Sequence, residues 1–109
     1  MSLEVNAATA RLVREMNAAE ETIADALVAS AGLLHTAATA SREVSDTPVL
    51  QAQAALLHLN KMVASILEAR GEALRVHGQL LDIGREMGAT ETPYCPPVKA
   101  FGAEQQKAA

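Results

Sequence analysis

The chain has 109 residues, with thirteen acids against nine bases and a formal net charge of −4 when the histidines are neutral. That length suits one domain and is short for two, while the acidic balance leaves neither an electrostatic footprint for nucleic acid nor a polybasic patch for anionic lipid. Half of the residues are hydrophobic, yet Tyr94 and Phe101 are the only aromatic ones. A core would have to be built from Ala, Leu, Val, Ile and Met, a palette of close-packed helices rather than sheets, and an all-α class is expected.

The opening Met1-Ser2-Leu3-Glu4-Val5-Asn6 lacks the basic region and apolar run of a signal peptide. The single cysteine, Cys95, fits a reducing compartment. A cytoplasmic location is the resulting expectation.

From residue 3 to 44 apolar and small residues recur in alternating steps of three and four: Val5, Thr9, Leu12, Met16, Ala19, Ile23, Ala26, Ser30, Leu33, Ala37, Ala40 and Val44. No charge falls on that stripe. This is the 3.5-residue repeat of a supercoiling helix seam, and it predicts one helix over about residues 3–44. Val13, Leu27 and Leu34 sit one column beside the seam and widen the apolar face beyond what a single neighbour would cover. Ser2 is the expected N-cap and Glu4 an acid in the first turn, where the helix dipole favours it.

Ser45-Asp46-Thr47-Pro48 breaks the pattern with residues that favour turns. Thr47-Pro48 reads as an N-cap followed by proline at the first helical position. A second helix is expected over about residues 48–87, on a seam of Val49, Ala52, Leu56, Leu59, Val63, Ile66, Arg70, Ala73, His77, Leu80, Gly84 and Met87, widened by Leu67, Leu74 and Leu81. Glycines at 71, 78, 84 and 88 predict fraying or close helix approach in its last third and termination at Gly88.

The expected architecture is a long antiparallel helical hairpin, residues 1–88, followed by an extended proline-rich tail, residues 89–109. Two helices alone leave much of a three-column apolar face uncovered, so dimerisation into a four-helix bundle is expected. Leu12, Met16, Ile23, Leu27, Leu33, Leu34, Leu56, Leu59, Val63 and Ile66 would form its core. The competing arrangement, a compact monomer with breaks at Gly32 and Gly71, is disfavoured because neither glycine is flanked by turn residues.

Arg70 is the one charge on either seam, with Asp25, Glu21 and Glu20 near its height on the other helix, and an interhelical salt bridge, to Asp25, that sets register is the expected use of it. Residues Ala26–Ser41 and Thr47–Asn60 carry no charge, so the half of the rod near the turn is nearly neutral. Neither run reaches the length of a membrane span, and none is expected. His35 and His58 fall on outward columns and His77 on the seam, without a third ligand or a Glu-x-x-His pair. No metal, cofactor or catalytic constellation is expected. Tyr94, Pro96, Pro97 and Phe101 make the tail a stiff segment with aromatic anchors, suited to docking in a groove.

The function expected from these features is that of a non-enzymatic, self-associating helical interaction or adaptor protein, with a homodimer as the expected assembly and an unknown protein as a possible further partner. The alternative is a structural subunit that polymerises or coats an apolar surface through its uncharged half.

Overall fold

The computed structural model describes residues 3–88, and among them the architecture is two helices and a turn. The expected domain boundary at residue 88, the Ser2 cap, Cys95 and the tail residues Tyr94, Pro96, Pro97 and Phe101 lie at the edge of or outside the described residues. Helix α1 spans Leu3–Glu43 and α2 spans Val49–Glu86. Each runs for roughly 60 Å at 1.5 Å per residue.

The reversal takes up residues 44–48, one residue more at each end than the sequence suggests, and the N-cap of the second helix is displaced by one residue. Val44 N–H still donates to Ala40 O at 2.9 Å, and the Thr47 hydroxyl donates to Val44 O at 2.8 Å. Thr47 is therefore spent on closing the end of α1. Pro48, not Thr47, occupies the N-cap of α2, with φ −63° and ψ 111° and no side-chain cap bond. Asp46 turns the chain with φ 65°, a left-handed conformation that Asp tolerates better than most residues.

At the far end Gly88 adopts φ 71°, and its N–H donates to Arg85 O at 3.1 Å. Termination there follows from glycine's freedom to take the left-handed conformation past a helix C-terminus. Both helices run unbroken through Gly32 and Gly71. The compact arrangement with four short helices is thereby excluded. A methyl group placed on Gly32, Gly71 or Gly78 meets nothing within 4 Å, so these glycines do not mark a close approach within the hairpin.

On α2 the half-buried positions follow the seam read from the sequence, from Ala52 and Leu56 through Arg70 and His77 to Gly84, while Val49 and Met87 are exposed. On α1 they do not. Thr9, Met16, Ile23, Ser30 and Ala37 face α2 together with Val13, Glu20, Leu27, Leu34 and Ser41, whereas Leu12, Ala19, Leu33 and Ala40 are exposed. The helix is rotated by about half a column from the expected seam. The rotation exchanges Leu12, Ala19, Leu33 and Ala40 for Val13, Glu20, Leu27, Leu34 and Ser41, so it gains one large aliphatic side chain in the contact and brings two polar ones with it.

Candidate functional site

Two features have the composition of a site: a polar cluster where the hairpin should be apolar, and apolar faces where it should be polar.

The polar cluster follows from the rotation of α1. His77 Nδ1 lies 2.7 Å from Glu20 Oε1, with the two side chains 15% and 27% exposed. An ionised carboxylate can only accept, so the ring nitrogen is the donor. Arg70 and Asp25, expected to pair, form no ion pair with each other. The reason is geometric: turning Glu20 inward carries the column of Asp25 to the outer side, where Asp25 is exposed while Arg70 remains half-buried on the seam. The other ion pairs among the described residues, Arg75 with Glu72 and Arg85 with Asp82, are exposed contacts within one helix.

Beside His77 the helices leave a cleft of about 30 Å³ lined by Leu12, Val13, Met16, Asn17, Leu80 and Leu81. Asn17 Oδ1 is buried there without a hydrogen-bond partner. Asn17 does not stand out in the sequence, and Glu20 does so only as one of three acids near the height of Arg70. The available signal is a polar residue inside a small or apolar column, Glu20 among Val13, Leu27 and Leu34, and Asn17 among Ala10, Ala24, Ala31 and Ala38. Among the described residues no cluster of three or more His, Cys, Asp or Glu is placed to hold a metal.

The apolar faces are larger. No hydrophobic residue among those described is buried, and Ser30 at 9% exposure is the one buried side chain. Of the residues expected in an interface core, Leu12 and Leu33 are 44% and 51% exposed, and Met16, Ile23, Leu27, Leu34, Leu56, Leu59, Val63 and Ile66 are half-buried between the helices. Most of the uncovered apolar surface divides into two faces, with Val28, Leu50 and Leu57 one column outside the second. In an antiparallel pair of right-handed helices, turning from the contact line in the direction of increasing residue number leads to the same side of the pair on both helices.

The first face therefore combines Leu12, Ala19, Ala26, Leu33 and Ala40 of α1 with Ala55, Met62, Ala69, Val76 and Ile83 of α2. The second combines Ala10, Asn17, Ala24, Ala31 and Ala38 with Gln53, Asn60, Leu67, Leu74 and Leu81. Neither face carries a charge. Met62, Val76 and Ile83 on the first, and Leu67 and Leu74 on the second, are each 40–50% exposed.

By length and composition α1 also holds an 18-residue window apolar enough to cross a membrane, almost none of it buried in the hairpin.

The fold and its faces define an all-helical antiparallel hairpin with two apolar sides. Comparison with family models, with curated proteins and with solved structures finds no match to this chain.

Proposed function

We propose that this protein is a non-enzymatic, self-associating helical interaction protein whose hairpins pack against further copies of themselves, a dimeric four-helix bundle being the smallest closed form. One observation carries the reading: a single hairpin buries none of its described hydrophobic residues, while Leu33, Leu57, Leu67, Leu74 and Ile83 stand half-exposed along its length. Contiguous apolar surface of this extent is rare on monomers and marks an association surface.

Each face is roughly 60 Å long and two helices, about 20 Å, wide. That is on the order of 1,000 Å², comparable with the ~800 Å² per partner of a stable interface. A second copy is the natural occupant because homo-oligomers dominate soluble assemblies and because the face supplies its own complement of alternating Leu and Ala.

Light scattering of the full chain across a concentration range tests this. The expected result is a mass at least twice that of the chain, reduced when Leu33→Glu and Met62→Glu are introduced together. A single-chain mass at every concentration, with cooperative thermal unfolding, would overturn it.

A second reading is favoured by the apolar window in α1: the uncharged Ala26–Ser41 half lies on a lipid or other apolar surface. Co-flotation of the full chain with uncharged phosphatidylcholine vesicles, lost on Val28→Glu with Leu33→Glu, would support it. Absence from the vesicle fraction would remove it.

A further inference from the structure

Three Arg-Glu dipeptides recur along the hairpin: Arg14-Glu15, Arg42-Glu43 and Arg85-Glu86. All six side chains are exposed. Successive residues on a helix point about 100° apart, and in each dipeptide the difference separates the two faces. Arg14, Arg42 and Arg85 each follow by four residues a member of the second face, namely Ala10, Ala38 and Leu81. They form its rim. Glu15 precedes Ala19 of the first face by four, and Glu43 and Glu86 continue the same outer columns. The rim of the first face is thus acidic, with Glu15, Glu43, Glu72 and Glu86 and, among the described residues, no Lys or Arg. The rim of the second holds Arg14, Arg42 and Arg85 against Glu21.

The glutamates are not where a lone hairpin would place them. Glu43 and Glu86 are the last residues of α1 and α2, where the helix dipole disfavours an acid. Arg42 and Arg85 suit those ends by themselves; their glutamate neighbours do not. Glu72 is already paired with Arg75, and Arg85 has a long, exposed contact of 3.6 Å with Asp82, whereas Glu15, Glu43, Glu86, Arg14 and Arg42 have no ion pair among the described residues.

We infer that hairpins associate face to back: the first face of one copy covers the second face of the next, in the same orientation and at the same level. Glu15, Glu43 and Glu86 of one copy then meet Arg14, Arg42 and Arg85 of its neighbour, α1 over α1 and α2 over α2. Across the same interface Leu33 seats between Ala31 and Ala38, large side chain against small. Two copies joined first face to first face would instead bring two acidic rims together. The face-to-back contact is heterologous and leaves a free face at each end, so growth continues past the dimer. The apolar faces supply adhesion and the charged rims select direction and register.

This inference rests on the self-association proposed above and can fail separately from it. Two full-chain variants are compared with the wild type by light scattering at one protein concentration and low salt. One carries Arg14→Glu, Arg42→Glu and Arg85→Glu; the other carries Glu15→Arg, Glu43→Arg and Glu86→Arg, a set compatible with the helix dipole at both C-termini. Helicity is checked by circular dichroism.

The wild type is expected to grow with concentration beyond four chains. Each variant alone has two rims of the same predominant sign and is expected to stay at least fivefold smaller in mass than the wild type. An equimolar mixture, in which every rim finds its opposite, is expected to recover at least half of the wild-type mass. Variants that grow like the wild type, or a mixture that stays small although both components are helical, would overturn the inference. A wild type fixed at the dimer would overturn stacking and leave self-association standing, while a wild type of single-chain mass would overturn both. If the triple-glutamate chain loses helicity, growth of the triple-arginine chain alone to wild-type mass is sufficient to reject the charged rims.

Discussion

His77 of α2 and Glu20 of α1 meet at 2.7 Å across the hairpin, a hydrogen-bonding group on each side of a seam that, Arg70 apart, is built mostly from aliphatic and small residues. A slip by one turn would set Glu20 against Ala73, Leu74, Leu80 or Leu81 and His77 against Met16, Asn17, Ile23 or Ala24. The pair resists sliding in a way that interchangeable Leu and Ala contacts do not.

His77→Ala and Glu20→Ala are each expected to lower unfolding free energy by about 1–2 kcal/mol, the range for a partly enclosed hydrogen bond to a charged group. The double variant should lose less than the sum, since the second change removes a partner already orphaned. Urea unfolding of the four proteins closes the cycle. Strict additivity would show that the two side chains do not interact.

Asn17→Leu should stabilise the hairpin. Asn17 Oδ1 is buried without a partner beside the small cleft, and an orphaned polar group of this kind costs about 1–3 kcal/mol. A leucine removes the cost and adds apolar contact with Leu80 and Leu81. A thermal midpoint lowered by the substitution would mean that the amide has a partner in solution.

Gly32→Ala is expected to gain about 0.5–1 kcal/mol from helix propensity alone. The position is exposed and mid-helix, and the added methyl group would meet nothing within 4 Å. Oligomeric mass should not change, because residue 32 lies on an outward column. A loss of stability would place another chain against Gly32.

Asp46 has φ 65°, and the turn discriminates by backbone preference. Asp46→Gly should be neutral or mildly stabilising, whereas Asp46→Val, β-branched at positive φ, should cost on the order of 1 kcal/mol or more. Equal stabilities of the two variants would show that the turn relaxes to another conformation.

Much of the fold is legible because helix formation here is a local matter. The α2 seam from Ala52 to Gly84 can be read directly, since Leu56, Leu59, Val63, Ile66 and Leu80 sit on its two central columns and the flanking columns, with Leu67, Leu74 and Leu81 on one side and Met62, Val76 and Ile83 on the other, are balanced about them. The α1 seam comes out displaced by half a column because Leu12 and Leu33 mark one edge of its apolar arc while Val13, Leu27 and Leu34 mark the other. A pattern that broad has no unique centre. The Arg70–Asp25 pair fails with it, as the direction of an acid on α1 depends on that rotation.

The sequence by itself determined the helices, the reversal near Asp46 and the ending at Gly88, all of which rest on propensities and backbone restrictions within a few residues of the place concerned. Only the tertiary structure decided which side of α1 meets α2, that Glu20 rather than Asp25 is turned inward, and that two uncharged faces remain on opposite sides of the pair. Those outcomes depend on the summed burial of side chains from both helices, a quantity no single stretch of chain contains.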